Sequence, residues 1–151
     1  MFNIARALFL RKTSLHPVTR SLARHGDPRE TGQAIDAEMA EDSVLKLGKA
    51  YVTQNWLLRP TAFRLIACRL DDIVWSYRPV ISGDNEATFA FRDGRMVGVP
   101  LHRNMPELLA HVYQRVPWVE TGWDTEQATK WQRRRAEFIA EVEARRSRRG
   151  A

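Results

Sequence analysis

The chain has 151 residues, 44% of them hydrophobic and 28% charged, a composition that excludes wholesale disorder and fits one globular domain. A domain of this length buries about 68–70% of the surface its unfolded chain would expose, enough for a real core. The formal charge is +6, yet the basic excess sits in residues 1–29, and residues 30–42 hold five acids with no Lys or Arg; such a split makes separate solvated faces, not the continuous stripe that favours nucleic acid.

Residues 1–12 carry an apolar run broken by Arg6 and lack a small-residue cleavage site, which argues against a signal peptide. They also lack the ~20 apolar residues of a membrane-spanning helix. The expectation for 1–14 is therefore a flexible or membrane-proximal segment: a frayed helix start, a peripheral membrane contact, or the end of something longer upstream. A single α+β domain over 15–146 and a basic tail over 147–151 follow.

A short helix is expected from Pro17 to about His25, ended by Gly26. Asp27, Pro28 and Glu30 then supply an N-cap, a first-turn proline and a first-turn acid for a helix over 28–42, anchored by Ile35 and Met39. Between 43 and 101 the apolar period becomes two, and strands are expected at 51–56, 62–69, 73–78, 88–92 and 96–101. Gly48-Lys49 and Arg59-Pro60 read as connections and 82–85 as a loop. Asp93-Gly94 marks a hairpin, the pair that suits a type I′ turn. Short connections leave no room for parallel crossovers, so one small antiparallel sheet or a partly open barrel is expected.

Asn104 with Glu107 repeats the capping pattern ahead of an apolar stripe of Leu108, Leu109, Val112 and Val116, and Pro117 stops that helix. Asp124 with Gln127 starts the last helix, expected to run to about Arg146 with Trp131, Phe138, Ile139 and Val142 on one face. Its last turn carries Arg145 and Arg146, as the helix dipole favours.

No residue pattern carries specific chemistry. Asp71 and Asp72 precede an aromatic strand, and a turn accounts for them better than paired general acid–base groups, because strand neighbours point to opposite faces. Cys68, the one cysteine, excludes an intrachain disulfide and a Cys-rich zinc site, and its apolar strand suits a buried thiol in a reducing compartment. His16, His25, His102 and His111 form no helical metal-ligand pair. Phosphate-binding glycine loops and nucleophile elbows are absent from the sequence, so no catalytic residue, metal or cofactor is assigned. Trp118 and Trp123 flank Gly122 in a loop, where they either pin the last helix or line a groove; pinning is favoured because aromatic area docks a helix well. The basic candidates for binding are Arg6, Arg11, Lys12, Arg133, Arg134, Arg135, Arg145 and Arg146. Their plainer reading is a solvated surface, interleaved in the last helix with Glu137, Glu141 and Glu143.

Several segments share an order with a known family. His16-Pro17, residues 22–27, residues 35–38, Trp56-Leu57-Leu58, residues 72–77 and the stretch from Pro117-Trp118 to Gly122-Trp123 resemble an uncharacterised bacterial family of unknown function, over roughly residues 15–145. The resemblance implies a pleckstrin-homology-like sheet capped by a helix. Members of that family often carry an apolar membrane-spanning stretch before the His-Pro element, where this chain has residues 1–12. The resemblance lends no activity. The expected function is a non-enzymatic binding or scaffold module in the cytoplasm, with a protein partner. The alternative is a peripheral module on an anionic membrane surface; an enzyme ranks third.

Overall fold

The structure, a computed structural model, describes residues 17–61, 64–78, 86–100 and 103–149. The expectations for 1–14 (with Arg6, Arg11 and Lys12), His16, the 82–85 loop and His102 lie outside these residues. The chain divides into two compact units, Met1–Arg69 and Leu70–Ala151.

In the first unit, α1 (Pro17–Leu22) tightens into a 3₁₀ turn at Ala23–His25. Gly26 ends it at φ 125°, a backbone conformation that a side chain would strain. Asp27 caps α2 (Pro28–Met39) as expected, its carboxylate accepting from the N–H groups of Arg29 and Glu30. The helix stops at Met39, short of Asp42, where the N–H groups of Ala40 and Glu41 turn to Ala37 and Glu38 in tighter i→i−3 bonds. Four strands follow in antiparallel order: β1 (Leu45–Leu47), β2 (Ala50–Val52), β3 (Trp56–Pro60) and β4 (Leu65–Arg69).

Two sequence expectations fail in this sheet. Residues 51–56 are not one strand but the end of β2, a turn and the start of β3. Arg59 and Pro60 are not a connection but the end of β3, opposite Ile66 and Leu65. In the 51–56 segment Thr53 and Trp56 close a turn, Thr53 N–H bonding Trp56 O and Trp56 N–H bonding the Thr53 hydroxyl. Glu38 on α2 braces it. Its carboxylate accepts from the Thr53 hydroxyl at 2.6 Å, the Asn55 amide N–H at 3.0 Å and the Asn55 side-chain amide at 2.8 Å, fixing a turn that periodicity cannot reveal. Beneath the helices, Leu22, Ile35, Trp56, Leu58, Leu65 and Ala67 are buried together.

The second unit opens with a 3₁₀ turn at Leu70–Asp72, where a turn is expected. A second sheet runs β7-β6-β5-β8, from β5 (Ile73–Tyr77), β6 (Glu86–Phe91), β7 (Met96–Pro100) and β8 (Glu120–Thr121). One small sheet is expected and two form; among the described residues they close no barrel. The β5–β8 pair is parallel, Trp75 opposite Glu120 and Ser76 opposite Thr121. A parallel pair is possible here because β8 meets β5 only after the chain has passed through two strands and a helix. The hairpin at Asp93-Gly94 forms, but with a three-residue loop: Phe91 N–H bonds Arg95 O, Gly94 N–H bonds Phe91 O, and Gly94 lies at φ 85°. That pattern replaces the expected two-residue type I′ turn.

Helix α3 (Met105–Arg115) buries Leu108 and Val112, and Val116 at its end. Asn104 occupies the N-cap position, yet its side chain does not cap the helix. Its backbone sits at φ −87°, ψ 9°, away from the extended geometry that aims a capping side chain. Asp124 does cap α4 (Thr125–Arg133), accepting from Gln127 N–H at 2.7 Å. The expected single C-terminal helix is broken at Arg134 (φ −136°, ψ 45°), and α5 (Arg135–Arg149) starts afresh. A straight helix rises about 1.5 Å per residue, so residues 130 and 141 would stand about 16 Å apart along its axis. The break instead lets Lys130 pair with Glu141, which holds the ammonium above the ordinary lysine value. Trp131, Phe138 and Val142 still share one core with Val74, Trp75, Ala90 and Ala128. No helix among the described residues is long and apolar enough to cross a membrane.

Trp131 is 3% exposed, so Trp131→Ala should lower unfolding free energy by about 3–5 kcal/mol. Urea unfolding checks this; a near-neutral result would mean that α4 is not docked through its aromatic face.

Candidate functional site

Most residues singled out by sequence have structural partners. Asp71 takes a two-point ion pair from Arg115, with Nε at 3.0 Å and Nη2 at 3.3 Å. Asp72 faces Arg92 at 4.0 Å. The two acids are thus held by two different arginines and do not form an acid–base couple. Cys68 is buried in β4. His25 lies 3.0 Å from the Ala67 carbonyl and meets the Trp56 ring edge-on; a carbonyl only accepts, so Nε2 carries the proton. His111 is half-buried on α3. Among the described residues, no three His, Cys, Asp or Glu side chains gather as metal ligands.

The basic candidates of the last two helices do not converge on one site. Arg145 binds Glu120 at 2.6 Å, and Gln127 donates to the other oxygen of that carboxylate at 2.7 Å. The Arg146 guanidinium lies 5.0 Å from the Trp118 ring centre, and Arg149 donates to the Pro117 carbonyl at 2.9 Å. These cations tie α5 to β8 and to the loop that leads into it. Arg135 lies over Trp131 at 4.9 Å, Arg134 reaches Glu137 at 3.4 Å, and Arg133 is exposed.

What the second unit does assemble is a groove of about 550 Å³ between α3 and β5–β6. Met105, Leu109 and Tyr113 recur at four-residue spacing and so form a stripe beside the buried Leu108–Val112 stripe. Ala87 of β6 and Pro106 complete the apolar lining. Ser76 alternates with Trp75 and Tyr77 along β5, so it faces the opposite side of the sheet from those rings. Its hydroxyl lies 3.4 Å from that of Tyr113. Arg78, exposed at the end of β5, lines the groove as well.

Gly122 closes one side. Its N–H donates to Ser76 O at 3.0 Å, and its carbonyl accepts the Trp75 indole N–H at 2.8 Å. At φ 85° it turns the chain after β8, and Trp123 comes to rest on the aromatic face of β5. There it stacks on Trp75 (5.7 Å, 12°) and leans on Tyr77 (4.9 Å, 50°), while remaining 37% exposed. Trp118 packs against the core that includes Phe138 and Val142 and so pins the last helix. The tryptophan pair therefore splits the two roles weighed from sequence. Sequence reasoning passed over Ser76, Tyr77, Arg78, Met105 and Tyr113. The signal that could have found the helical part was the second four-residue stripe on α3.

Burial pushes the Tyr77 phenol above the ordinary value of 10.0, and a hydrogen bond with Thr88 pulls partly the other way. The raised value favours the neutral phenol in the folded state, so stability from this group is full below pH 10.0 and falls as pH rises through the folded value. In an alkaline absorbance titration, Tyr77→Phe should remove a component that ionises above the ordinary tyrosine range. Loss of a component at the ordinary value would contradict this environment.

Comparison with models of known protein families, with curated proteins and with solved structures finds no match.

Proposed function

We propose that the protein is a non-enzymatic binding module whose second unit receives an apolar segment of a partner protein. The observation that carries this reading is the preformed groove with Met105 and Leu109 on one wall and the Ser76–Tyr113 hydroxyl pair within it. Apolar lining with a few placed polar groups is the usual make-up of a binding site. Among the described residues the groove lining includes no Asp, Glu, His or Cys, so the two hydroxyls are better suited to orienting a ligand than to transferring its protons. Each aliphatic anchor that enters contributes about 1.5–3 kcal/mol before the cost of association. One or two anchors give a weak, reversible complex.

The same proposal includes a pleckstrin-homology-like strand order, supported by a four-strand antiparallel meander followed by a three-strand meander and helices. The buried free thiol of Cys68 is compatible with a reducing, cytoplasmic setting. The membrane-surface alternative has less support, because Arg145, Arg146 and Arg149 already hold α5 to neighbouring chain.

Titrating ¹⁵N-labelled protein with a mixture of short leucine- and phenylalanine-rich peptides tests the reading. Amide shifts should concentrate at Ser76, Tyr77, Leu109, Tyr113 and Gly122, and Leu109→Arg should abolish them without unfolding the protein. Shifts confined to other surfaces, or none, would refute it.

A further inference from the structure

We propose that Trp123, with Asp124 and Glu126, docks an arginine-bearing segment of a partner protein, the partner's guanidinium lying on the outer face of the indole. This surface is separate from the groove and does not depend on it, since Trp123 rests on the aromatic face of β5 and Ser76 faces the other side. Trp75 stacks on Trp123 at 5.7 Å and 12°, and Tyr77 leans on it at 4.9 Å. Both supports belong to β5, so they cover one side of the indole, and the 37% that stays exposed lies on the other. An indole ordered in this way loses little freedom when a partner covers it, a common property of tryptophan anchors at interfaces.

The protein's other tryptophans show which group their ring faces take. Arg69 lies over Trp56 at 5.5 Å, Arg135 over Trp131 at 4.9 Å and Arg146 over Trp118 at 5.0 Å. Trp75 is enclosed by rings instead. Trp123 is the remaining one, and among the described residues no cation of the chain lies over it. The electron-rich face of an indole attracts a cation, and a guanidinium also stacks flat against it.

Charge selects the same partner. Asp124 and Glu126 follow Trp123, are exposed, and among the described residues take part in no ion pair. Asp124 gives one oxygen to the Gln127 N–H at the start of α4; its other oxygen and the Glu126 carboxylate can accept from a guanidinium. Glu120, by contrast, is already held by Arg145 and Gln127. Arg78, beside Tyr77 at the end of β5, is the opposing cation, and the two acids outweigh it. A neutral apolar partner would cover the indole and leave both carboxylates without a counter-charge, so complementarity favours a cation.

The test titrates the ¹⁵N-labelled full chain with acetylated heptapeptides that alternate glycine with arginine, with lysine, or with citrulline, which keeps the shape of arginine and removes its charge. The Trp123 indole N–H signal, assigned by its loss in Trp123→Phe, is the readout. At low salt the arginine peptide should move that signal with about two- to fivefold tighter binding than the citrulline peptide, and the lysine peptide should bind less tightly than the arginine one. Added salt should shrink the arginine–citrulline gap. Glu126→Gln and Asp124→Asn, the latter keeping a capping side chain, should each weaken the arginine peptide by up to about fivefold and leave the citrulline peptide unchanged, both with unaltered circular dichroism. Equal binding of the arginine and citrulline peptides, a lysine peptide as tight as the arginine one, or a gap that survives both acid substitutions together overturns the proposal. So does an arginine peptide that leaves the Trp123 signal in place. Shifts at Met105, Leu109 and Tyr113 in its stead would overturn it while leaving the groove reading standing.

Discussion

Trp75 is 1% exposed, and an indole this deeply buried must find an acceptor for its N–H or carry a desolvation cost of about 1–3 kcal/mol. The Gly122 carbonyl is that acceptor, at 2.8 Å. One bond therefore connects the central aromatic strand to the point where the chain leaves β8. The ring also meets Tyr77, Trp123, Trp131 and Phe138. Through those contacts the seating of α4 and α5, the short parallel strand and the exposed Trp123 shelf all depend on one side chain. A second bond of the same residue, from the Gly122 N–H to Ser76 O, sets the Gly122 side of the groove.

A comparable device organises the first unit. Glu38 accepts three bonds from Thr53 and Asn55, so a helix braces the turn between β2 and β3 that Thr53 and Trp56 close between themselves. In both units a group distant in sequence braces a loop. The arginines of α5 work in the same manner: those read as candidate binding cations are used to hold the helix in place.

This explains which features were legible in the sequence. Asp27 and Asp124 cap helices through their own nearest residues, and Asp93-Gly94 turns the chain by local backbone preference, so all three could be read directly. The Trp131–Phe138–Val142 face was readable because helical spacing persists across the break at Arg134. That persistence is also why the break itself was hidden. The split of 51–56 that Glu38 braces, the parallel pairing of β8 and the silent Asn104 cap all depend on contacts or backbone angles without a local signature. The groove combines β5, β6, α3 and a glycine after β8. Its residues are ordinary one by one, and only the fold places them together.

Trp75→Phe separates the ring's packing from its hydrogen bond, since phenylalanine keeps an aromatic side chain and loses the N–H. Hydrogen exchange on this variant, read amide by amide, is the most direct measurement. The expected result is faster exchange at Gly122 by about five- to a hundredfold, corresponding to about 1–3 kcal/mol, while the amides of α4 and α5 remain protected. Unchanged protection at Gly122, or loss of all these amides together, would contradict the role assigned to the Trp75–Gly122 bond.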